Sequence, residues 1–440
     1  MKRFFSKIIP QGLKNQYHLA QAVLACVWFG FPAYSFRSMA GRPAKKLQVI
    51  GVTGTNGKTT TTQFITRILE QAGKKVAMAS TINFQIGEKK WVNASKFTTL
   101  SSWKLQKFLR EAVREGCEYA VIETSSHALD QNRVWGIAYD IAVMTNVTRE
   151  HLDYHKTMEA YRRAKCRLFH LAKQAVVNLD MVDPNYFCTS ERKQTIFYST
   201  KDPQAQLLAE HIELDFSGTE FIVNGQHFHL HLPGLFNIEN ALASLGVAQL
   251  LGIGFSVAEK ALSNIASVSG RMELVPNVKK ADIIIDYAVT PDAFEKLYSS
   301  VLPLKIPGTK IIHVFGACGE RDRGKRPQMG EIASSYADII ILTNEDPYYE
   351  DPEQIIDDIE KGLPESLRET LRAGVTKKYG KMYYRIFDRR LAIHQALSLA
   401  EIGDIVLITG KGAEETMAFG DKRLPWNERK VVEEELANLD

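Results

Sequence analysis

A glycine-rich run near the amino terminus holds residue types that bind nucleotide phosphates. It reads GVTGTNGKTT over residues 51–60, after the apolar stretch 47–50 and before a helical pattern of apolar residues. Glycines let backbone N–H groups turn toward phosphate oxygens, Lys58 can reach the β- and γ-phosphates, and the Thr59 hydroxyl can bind Mg²⁺. The strict phosphate-loop spacing would place a glycine at Val52. With both flanks in place, the run predicts a site for ATP and Mg²⁺, made of Gly54, Thr55, Asn56, Gly57, Lys58, Thr59 and Thr60.

A carboxylate stands at the end of a second predicted strand. Glu123 closes the strand-like stretch 118–123, where it is well placed to hold Mg²⁺ directly or through water. Three polar residues follow it and would face a bound substrate: Ser125, Gln131 and Arg133. A capped helix start with a solvated glutamate is the alternative interpretation.

A histidine follows the next strand-like stretch, 139–144, in the same way. His151 could bind a second divalent cation, with Asn146 or Asp153 organising it. Taken alone, a histidine in such a place is more often an ordinary loop or core residue. The helical stretch 158–171 alone predicts that Lys165 is a surface lysine.

Two glycine-rich, charged loops follow predicted strands in the last third of the chain. GACGERDRGKRP begins at Gly316 after a strand-like stretch, and GKGAE begins at Gly410 after another. Glycines and cations just beyond a strand suit an anionic ligand such as a phosphate or a carboxylate. Each loop alone could be a charged surface loop, but their equivalent placement favours a substrate site.

These residues need a frame of alternating strands and helices. From residue 47 onward, strand-like and helix-like stretches alternate, with a helix predicted over 238–251. Residues 194–232 are predicted to form a small antiparallel β element. We therefore predict an α/β fold, with a central P-loop ATPase domain of mostly parallel sheet over 47–268 and a C-terminal Rossmann-like α/β domain over 269–440. Ligands of such sheets bind beyond the carboxyl ends of the strands, so the catalytic cleft should lie between the two domains.

Composition narrows the function class. The net charge is only +4 over 440 residues, and no Lys/Arg block with interleaved aromatics occurs, so we expect no nucleic-acid partner. The five cysteines are scattered and form no C-x-x-C pair, which argues against a disulfide framework and a structural zinc site. That usage favours a reducing, cytoplasmic compartment.

The short segment 1–46 is apolar in its middle and basic at both ends. Residues 15–36 hold no Asp, Glu, Lys or Arg, whereas four Lys/Arg precede this stretch and four follow it within 37–46. A helix packed on its own domain and peripheral membrane contact through residues 15–36 both remain open. A spanning helix is disfavoured by the polar residues Asn15, Gln16, His18 and Gln21 and by Pro32.

Nine segments, in this order, resemble the Mur ligase family, and within it the MurE-type enzymes that add the third residue to a muramoyl dipeptide. The similarity runs from about residue 47 to the C-terminus. The matching segments are GVTGTNGKTTT, ETSSHALDQNRV, TNVTREHLDYH, YRRAKCRLF, GLFNIENALAS, SGRMELV, DYAVTPDA, FGACGERDRGKRPQMGEIA and ITGKGAEE.

The resemblance implies an ATP-dependent, ADP-forming acid–amino-acid ligase of peptidoglycan synthesis and cell-wall biogenesis. An acceptor carboxylate would attack the γ-phosphate to form an acyl phosphate, and the amino group of a free amino acid would then displace phosphate. The implied partners are a muramoyl-peptide acceptor and that amino acid, with ATP and Mg²⁺ as cofactors. A monomer is expected.

The resemblance also implies residue roles. Catalytic positions are Lys58, Lys165, Glu123 and His151; Thr59, Glu123, His151 and a carbamylated Lys165 would hold metal. Nucleotide-side and interdomain positions are Asn237, Asn240, Arg271 and Asp286. Acceptor positions are Thr98, Thr99, Ser125, Gln131 and Arg133. Amino-acid contacts are Arg321, Gly410, Glu414 and the selecting loop Glu345, Asp346, Pro347 and Tyr348.

Three departures from the family pattern affect the substrate. Only fifty residues precede the phosphate loop, where family members have a domain that grips the uridine nucleotide. The selecting loop reads EDPY instead of the DNPR found for diaminopimelate, and Tyr348 cannot pair with a distal carboxylate as arginine does. Val289 and Ala413 each replace a usual histidine.

Two alternatives to this ligase remain at the sequence level. One is a related Mur-type ligase with another acceptor, either lipid-linked or folylpolyglutamate-like. The other is an inactive ATP-binding scaffold that recruits cell-wall enzymes to the membrane. Lys58, Glu123, His151 and Lys165 are all present, which argues against the scaffold.

Overall fold

The fold is described from a computed structural model that covers residues 10–33, 47–93, 98–188, 194–365, 377–378 and 381–439. The predicted basic flanks at 2–7 and 37–46, and residues 34–36 of the apolar segment, lie outside these residues.

The first described element is a helix, α1 (Gln11–Phe29). It ends at Gly30, whose left-handed conformation (φ +70°) lets its N–H bond back to the last turn. Along the part of the chain that the structure describes, no helix combines the length and apolarity needed to cross a bilayer.

A nine-stranded sheet forms the centre of the first α/β unit. Its strand order is β4-β3-β2-β5-β1-β6-β7-β8-β9, and all neighbours are parallel except β3 with β2 and β4. The central strands are buried on both sides and rich in Val, Ile and Ala, as parallel strands covered by helices must be. The strands are β1 (Gln48–Thr53), β2 (Val76–Ala79), β3 (Asn83–Ile86), β4 (Lys89–Val92), β5 (Tyr119–Glu123), β6 (Tyr139–Met144), β7 (Ala172–Asn178), β8 (Gln194–Ser199) and β9 (Leu207–Leu208).

Helices cover both faces of this sheet and close two apolar cores. They are α2 (Lys58–Gln71), α3 (Ser102–Arg114), α4 (Ser126–Asp130), α5 (Leu152–His155), α6 (Met158–Leu171), α7 (Leu235–Leu250) and α8 (Phe255–Ser263), with a 3₁₀ turn at Pro184–Phe187. A separate antiparallel sheet consists of β10 (Glu210–Asp215), β11 (Gly218–Val223) and β12 (Gln226–Leu230). It packs on the core that α2, α7 and α8 form with the main sheet.

A seven-stranded sheet forms the second unit, in the order β13-β14-β19-β15-β16-β18-β17, parallel except at β13 and β17. The strands are β13 (Glu273–Val275), β14 (Asp282–Asp286), β15 (Ile311–Phe315), β16 (Ile339–Leu342), β17 (Lys377–Lys378), β18 (Lys381–Arg385) and β19 (Ile405–Thr409), with a hairpin of β20 (Thr416–Phe419) and β21 (Lys422–Pro425). The helices are α9 (Pro291–Val301), α10 (Lys325–Tyr336), α11 (Pro352–Glu360), α12 (Arg389–Leu399) and α13 (Glu428–Ala437), with a 3₁₀ turn at Leu302–Leu304.

The predicted α/β class is confirmed, and two local predictions need correction. Residues 194–232 are not one antiparallel element, because β8 and β9 continue the main sheet in parallel and only β10–β12 are antiparallel. The helix predicted from Ile238 begins three residues earlier, at Leu235, directly after Gly234.

Candidate functional site

Most of the predicted site residues line one cleft at the carboxyl ends of both parallel sheets. The loops after β1, β2 and β6 contribute one wall, and the loops after β14, β15, β16 and β19 contribute the other. The cleft encloses a cavity of about 270 Å³. This is the place predicted for ligands of parallel sheets.

The glycine-rich loop runs from the end of β1 to the start of α2, with its backbone held from outside. Thr145 Oγ1 donates to the Asn56 carbonyl at 2.6 Å, and the Asn56 N–H donates to Asn146 Oδ1 at 2.9 Å. Gly57 has φ +82°, and a Cβ there would lie 2.3 Å from Asn240 Oδ1. Only glycine therefore fits at the turn into the helix, whose N-terminus favours an anion.

Two lysines converge on one carbonyl of this loop. Lys58 Nζ donates to the Gly54 carbonyl at 3.1 Å and to the Thr55 carbonyl at 2.8 Å. Lys165 Nζ donates to the same Gly54 carbonyl at 2.6 Å and lies 4.4 Å from the ring centre of Tyr161. Lys165 is buried, so the surface lysine expected from its helix position alone is wrong.

The electrostatics of the two lysines follow from that burial. Burial lowers the pKa of the Lys165 ammonium well below its usual range, and the charge of Lys58 lowers it further. Burial also lowers the pKa of Lys58, which Glu123 partly counteracts. A buried amine with a lowered pKa is a better nucleophile than a surface lysine, because a larger fraction is neutral.

Glu123 is fully buried at the end of β5, beside the phosphate loop. Its carboxylate accepts hydrogen bonds from the Thr81 backbone N–H at 3.0 Å and from Thr81 Oγ1 at 2.8 Å. Sequence reasoning missed Thr81. Its signal was its place just after β2, the strand that pairs with β5, so that both strands end at the same edge of the sheet.

His151 belongs to a cluster of aromatic rings beside the two lysines. Its ring centre lies 4.6 Å from that of His127, which in turn lies 4.3 Å from Tyr154 and 5.4 Å from His155. Burial lowers the pKa of His127 to about 3 and that of His155 to about 4, and it lowers the pKa of His151 well below the usual value. These imidazoles are therefore neutral at pH 7, the form that binds metal.

The two residues proposed to organise His151 differ in their surroundings. Asn146 is buried and hydrogen-bonds the glycine-rich loop, whereas the side chain of Asp153 is exposed.

The predicted acceptor residues form a second wall around the end of β5. Thr99 Oγ1 donates to the Glu123 carbonyl at 2.9 Å and accepts from the Ser125 N–H at 2.9 Å. Arg133 Nη1 donates to the Thr99 carbonyl at 2.7 Å. Thr98 lines the cleft beside Thr99, and Gln131 follows the last residue of α4 as its C-cap.

Contacts between the two α/β units close the cleft around the phosphate loop. Asn56 Nδ2 donates to Asp292 Oδ2 at 2.8 Å, and Arg271 Nη2 donates to Thr59 Oγ1 at 3.4 Å. Lys325 and Glu150 form an ion pair at 3.3 Å. Asp292, Lys325 and Glu150 were missed at the sequence level, because their partners lie more than 170 residues away.

The remaining nucleotide-side positions line the same region. Asn237 and Asn240 are buried on α7, where Asn240 Nδ2 donates to Asn237 Oδ1 at 3.3 Å and Asn240 Oδ1 accepts from Thr61. Asp286, at the end of β14, accepts from the Met272 N–H at 2.8 Å. Burial raises the pKa of Asp286.

The second unit contributes an end of the cleft rich in carboxylates. Lys411 Nζ bonds Asp346 at 2.9 Å and also contacts Glu414. Glu345 is buried against Gly410, its Oε2 has no hydrogen-bond partner among the described residues, and burial raises its pKa to about 7.

Three further positions complete this end of the cleft. Arg321 and Tyr348 line it, and the Tyr348 ring stacks under the Arg423 guanidinium at 5.2 Å. The Pro347 carbonyl approaches Gly319 so closely that a Cβ there would lie 2.0 Å from it.

The donor set fits a magnesium nucleotide better than an all-protein metal site. Among the residues that the structure describes, no three His, Cys, Asp or Glu side chains converge as metal ligands. Mg²⁺ typically takes one or two protein oxygens, with waters and substrate phosphates completing the octahedron. The Thr59 hydroxyl and the Glu123 carboxylate are oxygens of that kind at the phosphate loop.

Comparison with known proteins assigns both units. Residues 52–248 match the Mur ligase middle domain, and residues 270–412 match the Mur ligase, glutamate ligase domain. The chain is 41% identical over 403 residues to the UDP-N-acetylmuramoyl-L-alanyl-D-glutamate--2,6-diaminopimelate ligase of Caldanaerobacter subterraneus subsp. tengcongensis, covering 90% of this chain and 80% of that protein. It is 40% identical to the UDP-N-acetylmuramyl-tripeptide synthetase of Roseiflexus sp. (strain RS-1), covering 91% of this chain and 80% of that protein.

Solved structures agree at the level of the fold. A UDP-N-acetylmuramoyl-L-alanyl-D-glutamate--2,6-diaminopimelate ligase structure superposes with a TM-score of 0.61 at 31% identity, covering 91% of this chain and 80% of that one. The folylpolyglutamate synthase of Mycobacterium tuberculosis, complexed with ADP, superposes with a TM-score of 0.67 at 15% identity, covering 89% and 91% of the two chains.

We predict that Thr81 anchors the Glu123 carboxylate. Thr81→Val keeps the shape of the side chain but removes one of the two hydrogen bonds to a buried carboxylate, which should cost about 1.5–3 kcal/mol in the free energy of unfolding. Urea denaturation at pH 7 measures this change. The control is Thr219→Val, because Thr219 is more deeply buried than Thr81 but donates only to the neutral Leu232 carbonyl. An equal or smaller loss for Thr81→Val would contradict the anchoring role.

Proposed function

The chain belongs to the Mur ligase family, and from that premise we propose that it is an ATP-dependent, ADP-forming ligase that joins a free amino acid to a muramoyl-peptide acceptor in peptidoglycan synthesis. The observation that carries the proposal is the meeting of Lys58, Lys165, Glu123 and His151 around one phosphate loop. Family members use ATP and Mg²⁺ as cofactors.

The proposed reaction begins with an anion attacking an anion. An oxygen of the acceptor carboxylate forms a bond to the γ-phosphorus, ADP leaves, and an acyl phosphate remains. Lys58 is placed to neutralise the phosphates, because its Nζ already lies on the loop that cradles them. Mg²⁺, bound through Thr59 and Glu123, would supply further charge neutralisation.

The second half of the reaction forms the amide bond. The amino nitrogen of the incoming amino acid attacks the acyl carbon, a proton leaves the nitrogen, and inorganic phosphate departs. On one side, Thr98 lines the cleft with the phosphate loop, and the other acceptor residues Thr99, Ser125, Gln131 and Arg133 lie around the end of β5. The loops of Arg321, Gly410 and Glu414 approach from the other unit. Two walls that converge on the loop can align the three reactants.

We further propose that Lys165 acts as a carbamate. After the ammonium loses one proton, addition of CO₂ to the neutral amine forms an N–C bond and releases a second proton, so that a cation has become an anion. The lowered pKa of Lys165 favours the neutral amine. A carbamate would also remove the repulsion between the ammonium groups of Lys165 and Lys58, which bind the same carbonyl oxygen. It could then bind a second divalent cation together with the neutral His151.

The amino-acid end of the cleft favours a side chain without a distal carboxylate. Glu345, Asp346 and Glu414 contribute three carboxylates there, and Lys411 pairs with two of them, Asp346 and Glu414. Tyr348 offers no charge to a distal carboxylate, and the unpartnered oxygen of Glu345 suits a hydrogen-bond donor. We therefore propose that a side chain ending in an amine binds better than diaminopimelate does.

The proposal includes a domain boundary at 268/269, a monomeric enzyme and peripheral membrane contact through residues 15–36.

A Mur-type ligase with a lipid-linked or folylpolyglutamate-like acceptor is the second candidate. An inactive scaffold is disfavoured, because it has no need for Lys58 and Lys165 to share a carbonyl at the phosphate loop.

We predict that Lys58→Ala strongly reduces acceptor-dependent phosphate release. Loss of one preorganised charge at the transferring phosphoryl group should lower kcat by about 100- to 1,000-fold. The measurement is phosphate release with UDP-linked and lipid-linked muramoyl-peptide acceptors, with product identified by mass spectrometry. Lys173→Ala is the control, since Lys173 lies on the surface and pairs with Asp140. Near-normal turnover in Lys58→Ala would refute the phosphate-loop assignment, and no turnover by the wild type with any acceptor would favour the scaffold.

A second prediction concerns the amino acid. The wild type should use L-lysine more efficiently than meso-diaminopimelate, and Tyr348→Arg should raise kcat/KM for diaminopimelate by about tenfold or more through a charge-assisted hydrogen bond. Tyr349→Arg is the matched control, because it makes the same change at a half-exposed neighbour outside the cleft lining. Wild-type preference for diaminopimelate, or an equal gain in Tyr349→Arg, would show that this selectivity proposal is wrong.

A further inference from the structure

Helix α1 buries small residues against the protein and exposes large apolar ones, the reverse of an ordinary amphipathic helix. The face that packs on the protein is made of small side chains, with Ala22, Ala25 and Cys26 fully buried. The large apolar side chains point outward instead, and Trp28 is 75% exposed. The outward set is Leu13, Tyr17, Leu24, Val27 and Trp28. A helix that only packed on its own domain would bury these residues. An exposed apolar face of this kind therefore indicates that another apolar surface binds there.

The neighbouring helix α3 extends this face and gives it charge. The Trp103 ring, also exposed, lies 6.1 Å from that of Trp28 and 5.3 Å from that of Phe29. Lys104 and Lys107 are exposed on the same helix. Tryptophan beside lysine on an apolar face is typical of side chains at the boundary between headgroups and acyl chains.

The charge of this region selects an anionic partner. Residues 1–46 hold eight Lys/Arg and no Asp/Glu, and the only charged residue within α1 is Lys14. A second copy of the same face would bring like charges together, whereas an anionic bilayer would attract them. Since no described helix is suited to crossing a bilayer, the helix would lie in the plane of the interface.

Polar residues near the start of α1 hydrogen-bond residues close to the catalytic cleft. Gln11 Nε2 donates to the Tyr154 hydroxyl at 2.8 Å, and Asn15 Nδ2 donates to Asp130 Oδ2 at 3.1 Å. Tyr154 and Asp130 adjoin the acceptor wall, because the Tyr154 hydroxyl donates to Asp130 Oδ2 at 2.8 Å and Asp130 directly precedes Gln131. A membrane on the outer face of α1 would therefore lie on the acceptor side of the cleft.

We propose that the α1–α3 face, formed by Leu13, Tyr17, Leu24, Val27, Trp28, Trp103, Lys104 and Lys107, is a docking surface for an anionic phospholipid bilayer. It narrows the proposed membrane contact to one face, one orientation and one class of lipid. The proposal rests on that contact and not on the ligase reaction, so vesicle binding tests it separately from activity.

The test is co-sedimentation of the full-length protein with phosphatidylcholine vesicles, with and without about one-third phosphatidylglycerol. We expect binding to the anionic vesicles only, and weaker binding at high salt because the charges are screened. The double variant Leu24→Ser/Trp28→Ser should lower the partition coefficient by about tenfold or more, since both side chains lose apolar contact with lipid. Lys104→Glu/Lys107→Glu should lower it by about fivefold or more per position.

Matched controls make the outcome specific to this face. Ile402→Ser removes an equally exposed apolar side chain from the second unit, and Lys422→Glu reverses an exposed charge there; both should bind like the wild type. Equal binding by the wild type and Leu24→Ser/Trp28→Ser would overturn the proposal. A dimer in light scattering that Trp28→Ser dissolves would also overturn it, because a second copy would then cover the face.

Discussion

The carbonyl oxygen of Gly54 accepts hydrogen bonds from both Lys58 and Lys165, and the arrangement of the site depends on this shared acceptor. Two ammonium groups on one oxygen repel each other, and the burial of Lys165 removes part of the solvent that would screen them. The repulsion is relieved if one amine loses its proton, or if an anion binds beside one of the two ammonium groups. The proposed function supplies both, as phosphates at Lys58 and a carbamate at Lys165.

The surrounding fold fixes the glycine-rich loop and closes the second unit over it. The glycine-rich loop is held by Thr145 and Asn146 from the end of β6 and by Asn240 from α7, so its backbone is fixed before any ligand binds. Preorganised groups of this kind do not have to rearrange during the reaction. The contacts Asn56–Asp292 and Lys325–Glu150 then bring the second sheet over the loop. A cleft closed in this way excludes water from a reactive acyl phosphate.

Short-range features of the fold could be predicted from the sequence, and long-range contacts could not. The phosphate loop, Glu123 and the α/β class follow from strand–turn–helix patterns that local sequence encodes. Lys165 looked like a surface residue, because its burial depends on the loop 111 residues away. Thr81 had no motif of its own, and its role depends on the pairing of β2 with β5. The outward apolar face of α1 required knowing which side packs on the protein.

The most direct test of the central claim follows one oxygen atom. The acceptor is prepared with ¹⁸O in the carboxylate that is to be ligated, and the released inorganic phosphate is examined by mass spectrometry. An acyl phosphate formed by carboxylate attack on the γ-phosphorus transfers one ¹⁸O to phosphate in each turnover. We predict that transfer in the wild-type protein with Mg²⁺, ATP and the amino acid. Phosphate released without ¹⁸O, while the amide product forms, would contradict the account.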